Sequence, residues 1–360
     1  MMKRLEQIGK KLLKKLIKIF LPEANRAILP LDQIRKVLVF RLDQRIGNGI
    51  MLLPLLRAIS ESVPAAEVHL LVHHPIVLFF EQNFSEKLSK IWAYDQKHLL
   101  RNPFRMLKLL NRLKQEEFDV VISCHNPDNF SLSQALFGRW IKPKRLVGFR
   151  WKDSEMFYDI AVASDTQRHY TDALLDLWRA FDPQAGLKWG GIKIPSTARK
   201  AMIEKFPQLK EKPIIFWLGA TQGKELPVSL NTFIYQILQD NFHIPVLFAT
   251  GPADKELYRH LPSWIRHQLV VLKTPLTETA AFFSCCRLFI SGDTGPMHLS
   301  VAIGVPTLTI FIHTNKIQYG YDDRKRHFAF QFDDTPKNIL QLKQLLYQIV
   351  FQLHLDEKNA

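Results

Sequence analysis

Between two apolar stretches the chain runs Ser291-Gly292-Asp293-Thr294-Gly295-Pro296-Met297-His298-Leu299-Ser300, and this segment constrains the fold more than any other. Cys286 to Ile290 reads as a short buried strand, Met297 to Ile303 as a helix ended by Gly304, and Val305 to Phe311 as the next strand. A turn of small residues from strand into helix leaves backbone N–H groups at the helix start without intrahelical partners, and the helix dipole favours an anion there. Pro296 suits the first helical turn, where its missing N–H costs nothing. The same residues also fit a plain capped helix in a βαβ unit, with Asp293 or Thr294 as the cap.

The strand-then-helix pattern recurs along the chain. Lys36 to Phe40, Val68 to Val72 and Phe118 to Ser123 read as buried strands, and so do Pro213 to Leu218 and Val246 to Thr250. Helices are predicted over Ile50 to Ser60, with Pro54 at the start or as a kink, over Phe104 to Lys114, and over Thr277 to Ser284 with Thr277 as N-cap. The segment Asp43 to Gly49 reads as a tight loop. This alternation predicts an α/β protein with parallel sheets covered on both faces. The pattern restarts after Asp182-Pro183-Gln184-Ala185-Gly186 and Gly190-Gly191, which divides the chain into units over 31–183 and 190–335, with a C-terminal helix over 336–355. Two such units place a ligand cleft between Rossmann-like halves, at the carboxyl ends of their strands.

A length of 360 residues accommodates two domains of ordinary size, and an apolar fraction of 47% excludes disorder for the whole. The net charge is +15, of which residues 1–20 hold +6: seven lysine and arginine side chains against Glu6. On a helical wheel these cations fall on one half, and Leu5, Ile8, Leu12, Leu13, Leu16, Ile17, Ile19 and Phe20 on the other. A helix over 1–22 with that segregation lies in a membrane interface, its lysines near anionic headgroups; a helix packed on its own protein is the plainer alternative. No nucleic-acid-binding motif accompanies the basicity. No run is long enough to span a membrane, and no signal peptide is evident. The three cysteines, Cys124, Cys285 and Cys286, lack metal-site spacing and read as buried thiols. Together these features predict a cytoplasmic protein, peripheral on the inner face of the membrane.

Three strand-end loops in the second half carry complementary groups. Thr221 and Lys224 offer a hydroxyl and a cation, Thr294 and Gly295 offer N–H donors, and Asp254 or Glu256 offers a carboxylate. The first two sets match a diphosphate and the third a ribose, although such residues are common on ordinary surfaces. In the first half, Gly47-Asn48-Gly49 does not complete a dinucleotide fingerprint, because Leu52 stands at the third glycine position. His73-His74 has no companion ligands, so no metal site is expected.

Arg41-Leu42-Asp43-Gln44-Arg45-Ile46-Gly47-Asn48, continuing through Pro54-Leu55-Leu56-Arg57-Ala58, resembles the N-terminal motif of the lipopolysaccharide heptosyltransferases, glycosyltransferase family 9. Asp293 to His298, with Gly304-Val305-Pro306-Thr307, resembles that family's other hallmark. Shorter echoes at Lys144 to Phe149, Gly219-Ala220-Thr221, Lys224 and Pro275 to Glu278 extend the likeness over residues 36–312. The resemblance implies a GT-B fold and inverting, metal-independent transfer of a heptose, without a cofactor, from ADP-heptose to the lipopolysaccharide inner core. It places Thr221, Lys224, Asp293, Thr294, Gly295 and His298 around the diphosphate and Asp254 toward the ribose or adenine. One departure stands out. Where the family has an aspartate resembling a general base this chain has Asn48, and Gln44 looks like a one-residue insertion. An amide cannot take a proton at neutral pH. The candidates for the catalytic role are therefore Asp43, or Asn48 as a positioning group beside another carboxylate or histidine. A catalytically degenerate protein that only binds is the rival reading.

Overall fold

The computed structural model describes residues 24–95, 102–220, 224–252 and 254–355. The basic segment over 1–22 and Thr221 lie outside the described residues, and so does the side chain of Glu256. Two six-stranded parallel sheets organise the chain. The first contains β1 (Lys36–Phe40), β2 (Glu67–His73), β3 (Lys90–Tyr94), β4 (Val120–Ser123), β5 (Arg145–Phe149) and β6 (Ile160–Val162), in the order β3-β2-β1-β4-β5-β6. The second contains β7 (Ile214–Trp217), β8 (Val246–Thr250), β9 (Val270–Val271), β10 (Leu288–Gly292), β11 (Thr307–Phe311) and β12 (His327–Gln331), in the order β12-β11-β10-β7-β8-β9. Both orders follow one scheme, with the first strand of each sheet central. Chain direction through the sheet reverses between β1 and β4 and again between β7 and β10, and a crevice opens at each of these switch points.

The strands are continuous apolar runs because both faces of each sheet are covered. In β1, Val37 and Val39 enter one apolar cluster while Leu38 and Phe40 enter another on the opposite face, as the two-residue period of a strand requires. The Val37 cluster continues through the helices Leu53–Ser62, Tyr170–Arg179 and Leu276–Phe283 to Ile215, Trp217 and Phe289 of the second sheet. A single apolar body therefore spans both halves. The final helix, Pro336–Gln352, is capped by Thr335, which accepts from the Asn338 N–H, and it buries Leu342, Leu346 and Ile349 with Ile214, Phe216 and Ile290. Gly190 and Gly191 have φ of +70° and +94°. Arg57 donates to the Gly190 carbonyl at 2.7 Å, fastening this connector to the first half. No helix among the described residues is long and apolar enough to cross a membrane.

Three local expectations need correction. The segment around Gly47-Asn48-Gly49 is a short helix, Ile46–Ile50, not an open loop. Ahead of it Asp43 shapes the turn, its Oδ1 accepting the Arg45 N–H at 3.0 Å. A separate helix, Leu53–Ser62, follows with Pro54 in its first turn, where no N–H is needed. Thr277 is not an N-cap: the helix Leu276–Phe283 has Pro275 in that place.

Candidate active site

The tips of β1 and β4 are tied together by one buried cation. Arg41, directly after β1, is only 2% exposed. Its Nε donates to Asp43, its Nη1 to the Cys124 carbonyl at 3.2 Å and to the Tyr170 hydroxyl at 2.5 Å, and its Nη2 to Asn126 Oδ1 at 2.8 Å. Tyr170 in turn donates to the His125 carbonyl at 2.9 Å. The loop after β4 is thus bolted to the loop after β1, as a buried charge demands, with all three guanidinium nitrogens donating. Asp43 Oδ2 also accepts from Asn48 Nδ2 at 3.0 Å. The amide that stands where an aspartate was expected therefore serves the carboxylate five residues earlier. Burial pushes the Cys124 thiol up to about 12, with Arg41 opposing, so it stays a neutral packing group.

The tips of β7 and β10 are adjacent, since these strands pair in parallel. Lys224, beyond β7, donates to Asp293 Oδ2 at 2.6 Å, and Asp293 follows β10 directly. Thr294 occupies the N-cap position of the helix Gly295–Ala302 with an extended backbone, yet its side chain makes no capping bond. Its Oγ1 is buried and meets no partner among the described residues. An uncapped helix start, an orphaned hydroxyl and an ammonium therefore converge, and a diphosphate oxygen answers all three needs. Asp254 closes the tip of β8 instead: its Oδ2 accepts from Thr250 Oγ1 at 2.7 Å and from the Gly251 N–H at 2.9 Å. It also faces Gly219, where an added Cβ would sit 2.1 Å from that oxygen.

The two tip clusters meet at Gly47. A Cβ there would lie 2.6 Å from His298 Cδ2 and 3.1 Å from the Gly295 Cα, so only glycine lets the two helix starts touch. His298 is buried, and its Nδ1 pairs with the Tyr321 hydroxyl at 3.0 Å. Burial lowers its pKa to about 4; Asp293 opposes this and Lys224 assists, and the ring is neutral near pH 7. Tyr321 packs against His169 and Trp189, with ring centroids 4.5 and 5.1 Å apart.

The structure thus brings Lys224, Asp293, Thr294, Gly295 and His298 together, with Asp43 and Asn48 across Gly47 and Asp254 two strand tips from Asp293. Sequence reasoning missed Tyr170, Tyr319 and Tyr321. Away from the crevice, Glu67, His69 and Glu116 hold ligand atoms within 4.8 Å of one another. Lys36 and Lys90 already pair with Glu116 at 3.2 and 2.6 Å, which makes the group an ion-pair network.

The family model described as glycosyltransferase family 9 (heptosyltransferase) matches residues 106–341. The chain belongs to glycosyltransferase family 9. A Haemophilus influenzae protein that carries glycosyltransferase in its name is 22% identical over 324 residues, covering 82% of this chain and 89% of that protein. Among solved structures, the family 9 glycosyl transferase of Veillonella parvula superposes with a TM-score of 0.73 at 17% identity, covering 92% of this chain and all of that one. The Escherichia coli ADP-heptose lipopolysaccharide heptosyltransferase II gives 0.67 at 15% identity, covering 89% and 98%. These likenesses establish the GT-B fold of two Rossmann-like domains. The family 9 match begins after β3, so the Arg41 to Asn48 motif lies outside it.

Proposed function

We propose that this family 9 glycosyltransferase moves a heptose, with inversion, from ADP-heptose to the lipopolysaccharide inner core. The single observation that carries this reading is the Lys224–Asp293 pair beside the uncapped helix start, where the buried Thr294 hydroxyl lacks a partner among the described residues. In this reading Lys224, Thr294, Gly295 and His298 surround the diphosphate, Asp293 orients the lysine, and the Asp254 tip lies on the ribose side. Thr221, beside Lys224 in sequence, belongs to the same set. Preorganised donors at the departing oxygen lower the barrier to bond cleavage, because charge develops there. Residues 31–183 take the acceptor and residues 190–335 the donor, with the helix over 336–355 completing the second domain. Asp43 and Asn48 hold the acceptor-side loop in shape. Residues 1–20 carry the enzyme to the anionic membrane surface, where a lipid acceptor lies.

The donor half of this reading is tested by thermal unfolding of the full chain with a panel of nucleotide-sugars. ADP-heptose and other ADP-sugars raise the midpoint; stabilisation by UDP- or GDP-sugars alone rejects the assigned donor. One observation favours a second reading, a binding protein without turnover: Asn48 stands where a base was expected. Asn48→Asp decides between them. Turnover that emerges only in the variant supports the degenerate protein, whereas loss of existing turnover supports the rewired loop.

A further inference from the structure

The two faces of the first sheet end differently. The Val37 and Val39 side continues into the second half, whereas the Leu38 and Phe40 side is covered by two neighbouring helices, Pro103–Gln115 and Leu132–Ile141. The first of these helices buries Leu110 and Leu113, with Met106 and Leu109 half-buried beside them. That stripe is enough to seat the helix, yet two more apolar residues point the other way. Phe104 is 80% exposed, the most of any large apolar side chain among the described residues, and Leu107 is 42% exposed. Trp140, on the adjoining helix, is 50% exposed. One exposed apolar residue is ordinary; three on a pair of packed helices form a surface.

The charge of this surface is one-sided. The helix Pro103–Gln115 carries Arg105, Lys108, Arg112 and Lys114, all exposed, and no acid. At roughly 100° per residue Lys108 shares the Phe104 and Leu107 face, and Arg105 and Arg112 flank it. Glu116 and Glu117 follow at the end away from Phe104, and Glu116 is already paired with Lys36 and Lys90. Cations around an exposed apolar stripe match an anionic lipid surface, with the apolar groups in the acyl boundary and the cations among headgroups.

Two placements point to the same partner. The helix joins β3 to β4 of a parallel sheet, so it runs back along the strands and Phe104 sits at the carboxyl edge, where the crevice opens. The chain also enters the fold at this face. The Asn25 N–H and Arg139 Nη1 each donate to Asp159 Oδ1 at 3.0 Å, and Arg139 precedes Trp140. The basic segment over 1–22 therefore joins the fold beside it.

We infer that the outer face of the helix Pro103–Gln115, with Trp140 beside it, is a second membrane-docking surface that takes anionic phospholipid. Phe104 and Leu107 enter the interface, and Arg105, Lys108 and Arg112 meet the headgroups. This goes beyond the proposed function, because it turns a tethered protein into one whose crevice mouth is held at the lipid.

The test is co-sedimentation of the full chain with phosphatidylcholine vesicles, with and without about one-third phosphatidylglycerol. We expect binding to the anionic vesicles, weakened by high salt. Arg105→Gln/Lys108→Gln/Arg112→Gln lowers the partition coefficient by about 10²-fold, or about fivefold per cation. Phe104→Ser/Leu107→Ser lowers it by about tenfold. Lys193→Gln/Lys200→Gln/Lys210→Gln, an equal charge change on the second half, alters it by less than about twofold. All three keep the wild-type thermal midpoint, because the replaced side chains are exposed. Binding that both helix variants retain within about twofold overturns the inference. So does a control that loses as much as the cation variant, since net charge alone then explains the effect. A cation effect without a Phe104 and Leu107 effect also overturns it, by showing that no apolar face enters the lipid. A wild type that ignores anionic vesicles overturns it together with the membrane role of residues 1–20, and leaves this face to a protein partner. Partitioning as expected, beside no stabilisation by any ADP-sugar, rejects the proposed donor and upholds this inference.

Discussion

The tips of β1 and β4 and the tips of β7 and β10 occupy equivalent places in two sheets of identical strand order, yet they are built on opposite principles. On the first-half side the cation is buried and spent internally: Arg41 satisfies a carboxylate, a carbonyl, an amide and a phenol. On the second-half side the cation is half-exposed and, among the described residues, makes one ion pair, while the neighbouring helix start lacks a side-chain cap and its hydroxyl a partner. The first arrangement stiffens a loop; the second leaves capacity for an anion. Strand order therefore fixes where a ligand binds, and the loop residues fix what it is.

The sharpest way to break this contrast is to remove each cation. Arg41→Met removes the buried donor that Asp43, Asn126, the Cys124 carbonyl and the Tyr170 hydroxyl share. We expect a loss of about 3 to 5 kcal/mol in a urea titration; a change below about 1 kcal/mol would show that the network is not structural. Lys224→Met is expected to leave the urea midpoint nearly unchanged and to lower kcat by about 10²- to 10³-fold, through loss of charge stabilisation at the leaving group. Equal stability effects of the two substitutions would erase the distinction.

The contact between the regions is sharpened by Gly47→Ala. The new methyl group meets the His298 ring and the Gly295 backbone. The helix starts must separate, at about 1 to 3 kcal/mol, read as a lower thermal midpoint. A full-strength midpoint would mean the halves do not touch there. A separate effect concerns acid. Burial lowers His169 to about 3, His298 to about 4 and His327 to about 4, against an ordinary value of 6.5. Between about pH 6.5 and 4 the unfolded chain binds protons that the folded chain does not. Stability is therefore complete above about pH 6.5 and is lost as the pH falls, by up to about 1.4 kcal/mol per pH unit for each ring. Urea titrations at pH 7, 6 and 5 measure this; a midpoint independent of pH would refute the dry seam around Tyr321.

Legibility in the sequence followed the range of the forces involved. Val37 to Phe40 and Ile214 to Trp217 read directly as buried parallel strands, because two-faced burial makes their residues uniformly apolar. The Asp293–Gly295 helix start was legible because small residues and Pro296 encode it locally. The Lys224–Asp293 pair joins residues 69 apart in sequence; the recurrence of loops at strand ends grouped Lys224 with the Thr294-Gly295 helix start, but nothing local foretold the ion pair itself. The Asn48-to-Asp43 bond and the helix at Ile46–Ile50 were hidden, because Gly47-Asn48-Gly49 is poor in intrinsic helix formers and is held by Asp43 and the Gly295 contact. Tyr170 was invisible for a plainer reason. Nothing near it in sequence distinguishes a tyrosine that braces a buried arginine from an ordinary core residue.

The claim on which the account depends is that the Thr294–Gly295 helix start with Lys224 receives the donor's diphosphate. Hydrogen–deuterium exchange over residues 292–300, with ADP compared against adenosine at matched saturation, tests it most directly. The account predicts slowed exchange in this segment with ADP and little change with adenosine. Equal protection by both ligands, or protection by ADP elsewhere with this segment unchanged, would contradict it.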